Sequence, residues 1–124
     1  MDFSSTMIYT TNMAEQYLTT QITNNNLGDT LSEMDRGLSL LERRGTLLII
    51  RALEEGHMRF TDLLRLTHLP PRTLTTRLVE MTDANLINRE QFWEIPPRVE
   101  YSLNDTGRKL LPIAHEIAGW AKVM

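Results

Sequence analysis

Between Pro71 and Asp83 the chain reads PRTLTTRLVEMTD, and its polar and apolar residues separate by position. Leu74, Leu78 and Met81 recur at i, i+4 and i+7, which places them on one face of a helix. Arg72, Thr73, Thr75, Thr76 and Arg77 fall on the remaining surface, near the helix start. Arginine pairs bidentately with a guanine edge or a phosphate, and threonine bonds phosphate or touches a thymine methyl. The chemistry is recognition of a nucleic-acid polyanion. Thr73 and Thr76 are expected in a groove, with Arg72 close to phosphate. The alternative for all five is a solvated helix face.

The neighbouring segments must position such a helix. Thr61 is suited to N-cap DLLRLT, with Leu63, Leu64 and Leu66 as its buried face and Arg59-Phe60 as a short strand before it. His68-Leu-Pro-Pro71 forms the turn, because proline at the first helical position loses no hydrogen bond. After the helix, residues 86–92 and 98–103 predict two strands of one hairpin. Val99, Tyr101 and Leu103 alternate with Arg98, Glu100 and Ser102, the period of a half-buried strand. Trp93 to Pro97 is then a stiff tip, where Trp93 either stacks on a partner or covers the hairpin's inner face. Arg98 is the candidate for a minor-groove or backbone contact, with Arg89 second. The competing role for Arg98 is a salt bridge to Glu94 or Glu100. Helix, turn, polar-faced helix and hairpin make a winged helix-turn-helix, mainly α with a small β wing.

Residues 1–30 read as an N-terminal extension, either a dimerisation arm that exchanges with a partner subunit or a disordered segment, and 31–124 as the winged domain. Met13 to Ile22 predicts a short helix capped by Asn12, and NNNLGD at 24–29 a turn. Thr30 and Glu33 have the spacing of a capping box, opening a helix over 31–43 with Leu31, Met34, Leu38 and Leu41 on one side. Thr46 opens a helix apolar on most sides, stopped by Gly56, which should be the central buried one. Asn104 or Asp105 caps a final helix to about Lys122. Its apolar residues, Leu110, Ile113, Ile117 and Trp120 among them, are too many for a solvated tail, so a partner surface is expected.

Composition narrows the function classes. The chain has 124 residues, 41% hydrophobic and 6% aromatic, which suits one domain or a core shared between two subunits. There is no cysteine, which excludes disulfides, thiolate zinc sites and a thiol switch within this chain. Net charge is −3, an unfavourable balance for phosphate binding. From His57 to Val79, however, Arg59, Arg65, Arg72 and Arg77 face only Asp62, so the basic charge is local. Such a distribution predicts weak binding to random DNA at physiological salt. His57, His68 and His115 lack metal-ligand spacing, and Met34, Met58 and Met81 read as core fillers. No phosphate loop or nucleophile–base arrangement suggests an enzyme, and no cofactor is implied. Neither a membrane span nor a secretory signal is legible, so a soluble, cytoplasmic protein is the default.

The segments GTLLIIRAL (45–53), RFTDLLR (59–65), LPPRTLTTRLVEM (69–81), Leu86-Ile87 and PPRVEYSLNDTGRKLLP (96–112) together resemble HxlR-type transcriptional regulators. The last is the most specific, with its Pro-Pro-Arg wing, aromatic strand and Thr-Gly helix start. The resemblance spans roughly residues 31–122. It implies a homodimeric winged helix, paired through the helices at both ends of the domain, on a partly palindromic operator. A small-molecule effector would fit that reading, though no residue names one. Two features depart from the family: its usual Gly-Lys-Trp-Thr start to the central helix is here Arg43-Arg44-Gly45-Thr46, and its frequent cysteine near the domain start is missing. A rival reading is a winged-helix protein-interaction module without sequence-specific DNA binding, since a fold alone does not fix function.

Overall fold

A computed structural model describes residues 26–124. The helix expected over Met13 to Ile22 lies outside them. The chain divides after Leu40 into two compact units, and each is taken by itself.

In the first unit, helix α1 (Asn26–Leu41) starts a full turn earlier than its expected capping box. Thr30 is therefore inside the helix, and Asn26 to Asp29 are helical instead of a turn. The apolar period explains this. Leu27 extends the series Leu31, Met34 and Leu38 backwards at helical spacing, and Asp29 suits the positive end of the helix dipole. All four apolar side chains are exposed, so Met34 fills no core.

The second unit is built around α2 (Thr46–Leu53), which buries Thr46, Ile49, Ile50 and Leu53, as expected of a central helix. Gly45 precedes it with φ of 99°, where a side chain would be strained and its Cβ would strike Leu69. Helix α3 (Phe60–Thr67) begins earlier than Thr61 would place it, because the Asp62 carboxylate accepts the Arg59 backbone N–H at 3.0 Å. Its inward series is Phe60, Leu63 and Thr67, at spacings of three and four. Leu66 falls outside that stripe and is exposed, while Leu64 is half-buried. Thr67 is accommodated by donating to the Leu63 carbonyl at 2.7 Å and accepting from the Leu69 N–H at 3.3 Å.

Helix α4 (Pro71–Asp83) follows the turn and buries Leu74, Leu78 and Met81 as expected. Strands β1 (Ile87–Phe92) and β2 (Arg98–Leu103) pair antiparallel, with Ile87 opposite Leu103 and Phe92 opposite Arg98. The strand expected at Arg59-Phe60 is a single bridge one residue earlier, where Met58 and Tyr101 exchange backbone hydrogen bonds of 2.9 and 2.8 Å. The predicted final helix is broken into α5 (Asp105–Arg108) and α6 (Leu111–Ala121). Pro112 accounts for the break, since it has no N–H for the Arg108 carbonyl and its ring crowds that oxygen. Asn104 caps α5 by accepting the Gly107 N–H at 2.8 Å. Gly107 is buried at the hairpin's base, where any Cβ would overlap the Leu86 carbonyl oxygen.

Candidate nucleic-acid interface

The turn into α4 is fixed by His68 in the left-handed region (φ 57°) and by Pro71 in the helix's first turn. Buried Leu69 anchors the turn from below, and α3 packs against α4. With Leu74, Leu78 and Met81 turned inward, Arg72, Thr75 and Thr76 are exposed and Thr73 is half-buried. The hydroxyls of Thr75 and Thr76 donate to the Pro71 and Arg72 carbonyls, each at 3.0 Å. Their free valences towards solvent are methyls and oxygen lone pairs, a surface suited to thymine methyls and base-edge donors. Arg72 forms no ion pair among the described residues.

Arg77 does not share that outward surface. Its side chain is 13% exposed, its Nε donates to the Arg44 carbonyl at 2.7 Å, and its guanidinium meets Glu80 at 3.3 Å. Glu80 also holds Arg43 at 2.6 Å. A long, amphipathic stem can lie along the body and carry its charge to a partner there, which is why spacing alone put Arg77 outside. The result is a clamp from α4 to the segment before α2. Residues 43, 44 and 80 were missed as a group, although the i, i+3 spacing of Arg77 and Glu80 was a visible signal.

The hairpin gives a second correction. Arg98 bonds Glu94 at 2.7 Å and Glu100 at 2.8 Å, and its guanidinium lies 4.0 Å from the Phe92 ring centroid. The salt-bridge alternative weighed from the sequence is the arrangement found. Arg98, Glu100 and Ser102, on the face of β2 expected to be solvated, are half-buried like Val99 and Tyr101. Arg89 is exposed on β1, opposite Tyr101. Trp93 does not cover the wing, being 86% exposed.

On α6, Ile113, Ile117 and Trp120 are exposed, and Leu110 just before it is half-buried. An apolar hollow of about 210 Å³ lies between α2 and α6, bounded by Leu47, Leu48, Ala114 and Ile117. At its rim Glu55 bonds Arg51 at 2.7 Å and raises the guanidinium pKa, with Glu54 contributing by charge. His115 reaches Glu54 at 2.9 Å and ties α6 to the end of α2, while His57 lies 3.5 Å from Glu100. Among the described residues no group of His, Asp and Glu has metal-binding geometry, and no helix is long and apolar enough to cross a membrane. Of the three methionines expected in the core, only Met81 is fully buried.

A short helix, a tight turn, an exposed polar helix and an adjoining β-hairpin around one core define a winged helix-turn-helix protein. The chain belongs to the HxlR-like helix-turn-helix family, whose match covers residues 40–124. It is 34% identical over 97 residues to YvaP of Bacillus subtilis, an uncharacterized HTH-type transcriptional regulator, covering 77% of this chain and 90% of that one. It is 38% identical over 77 residues to another such regulator from Methanothermobacter thermautotrophicus, covering 61% of this chain and only 59% of the relative's length. The redox regulator HypR in its oxidized form superposes with a TM-score of 0.70 at 27% identity, over 74% of this chain and 96% of that one.

Proposed function

We propose that this chain is a homodimeric transcriptional regulator that reads a partly palindromic operator. The observation that carries the reading is the start of α4, where Arg72, without an ion pair among the described residues, and exposed Thr75 and Thr76 with half-buried Thr73 lie away from the buried Leu74, Leu78 and Met81. Arg72 supplies a phosphate or guanine contact, the threonines read base edges and methyls, and Arg89 adds a backbone contact from the wing. Arg77 and Glu80 act as positioning residues, setting how α4 leaves the body.

Dimerisation is supported by unpartnered apolar surface. Ile113, Ile117 and Trp120 on α6, and Leu27, Leu31, Met34 and Leu38 on α1, are all exposed. Exposed stripes of this kind mark partner surfaces. Two-fold pairing would set the recognition helices on successive major grooves, about 34–36 Å apart. Whatever signal such a regulator answers, it does not act through a thiol of this chain, which has no cysteine.

The test is selection of bound duplexes from a random library, followed by affinity measurements across a salt series. The expected result is a partly palindromic consensus and a steep salt slope. No enrichment at low salt would overturn the reading in favour of a protein-interaction module.

A further inference from the structure

With Arg98 occupied by carboxylates, no free cation lies at the wing's end among the described residues. Residues 93–97 read Trp-Glu-Ile-Pro-Pro, and their one charged group, Glu94, is bound to Arg98. What the tip presents to solvent is Trp93, 86% exposed, and Ile95, 101% exposed, on a loop stiffened by Pro96 and Pro97. Side chains of this size, uncovered at the end of a short loop, gain nothing from the chain's own fold.

We propose that the wing enters the DNA minor groove as an apolar wedge, with Trp93 and Ile95 pressed against or between base pairs. This rests on the operator-binding reading above and states how the wing takes part in it. Two observations favour DNA over a protein as the occupant. Strand β1 packs on α4, so the hairpin that carries the tip is held beside the recognition helix. The Phe92–Arg98 stack, 4.0 Å to the ring centroid, braces the tip from beneath, as a wedge that must bear on stacked bases requires. Apolar wedges in the minor groove unstack base steps and kink the duplex, most easily at flexible pyrimidine–purine steps. The wing's contribution to specificity is then a preference for a deformable step, not a hydrogen-bonded base.

The experiment uses the full chain and the duplex enriched from the random library, labelled at both ends for energy transfer. Wild type should shorten the end-to-end distance of that duplex. Trp93→Ala with Ile95→Ala should bind about tenfold more weakly, the scale of one lost stacking contact. It should leave the duplex nearly straight and keep the wild-type salt slope, because no phosphate contact is removed. Trp93→Phe should retain most of the bend. Replacing the flexible step under the wing by a stiff A-tract should weaken wild type and leave the double variant unaffected. A double variant that binds and bends as wild type does overturns the wedge alone, as does a salt slope that falls along with affinity. Wild type that binds no duplex overturns the wedge and the operator reading together.

Discussion

The start of α4 and the wing both carry an arginine at the position where a DNA contact is expected, and the two side chains are in opposite states. Arg72 is exposed and makes no ion pair among the described residues, whereas Arg98 sits between two carboxylates and an aromatic ring. The difference comes from local spacing. In α4 the nearest carboxylate, Glu80, is two helical turns from Arg72 and is already held by Arg43 and Arg77. On β2, Glu100 shares the face of Arg98 two residues on, and the loop returns Glu94 to the same point. A basic residue at a position expected to face DNA is available without first breaking an ion pair only where no carboxylate reaches it.

The largest effect expected from breaking this contrast is at the wing's base. Gly107→Ala would force a methyl into the Leu86 carbonyl, directly before β1, and this is backbone rather than the end of a flexible side chain. Unfolding in urea should show a loss of about 3 kcal/mol, at the upper end for overpacking. Stability within about 0.5 kcal/mol of wild type would mean the hairpin's base is looser than its packing implies.

Arg72→Ala comes next and tests the available arginine. Operator affinity should fall by about 1–2 kcal/mol, and the salt slope should shrink by roughly one phosphate's contribution, with stability unchanged. Arg98→Ala should do the reverse. Removing it leaves Glu94 and Glu100 facing each other on a half-buried surface, so stability should drop by about 1 kcal/mol while the salt slope stays put. If Arg98→Ala flattens the slope instead, its pairs open on DNA and the contrast between the two regions collapses.

The elements of the winged domain were legible because their signals are periodic. The stripe of Leu74, Leu78 and Met81 fixed α4, and the Thr46 to Leu53 run fixed the central helix, since burial of regularly spaced apolar residues tolerates few alternatives. The misses at the helix ends have one cause in common: one local signal is outweighed by another close to it in sequence. The Thr30 capping box lost to a leucine stripe that begins a turn earlier. Thr61 as N-cap lost to the Asp62 carboxylate on the Arg59 N–H, and the single last helix lost to Pro112. At the site, helical spacing tells which way a Cβ points but not where a long arginine side chain ends, so spacing places Arg77 outside although it lies along the body. The exposure of Trp93 is likewise a matter of what does not pack against it, which no one-dimensional pattern records.

The smallest expected effect concerns the clamp that separates Arg77 from Arg72. Glu80→Gln keeps the side chain's shape and weakens its hold on Arg43 and Arg77, while the Arg77 bond to the Arg44 carbonyl remains. Partly exposed pairs of this kind contribute under about 1 kcal/mol, so unfolding should barely register the change. Orientation of α4 is the more sensitive readout, because base-edge hydrogen bonds fail with small misplacements where phosphate attraction does not. The ratio of operator to random-duplex affinity should fall about threefold, a loss of roughly 0.6 kcal/mol. Arg43→Ala supplies the control. It changes net charge in the opposite direction and breaks the same pair, so a general electrostatic effect would move the two variants' random-duplex affinities apart. Loss of positioning moves both specificity ratios down, and the double variant should add little to either, as expected of residues acting through one contact. Ratios that move in opposite directions would show that the clamp alters only the charge near the helix and does not set its angle.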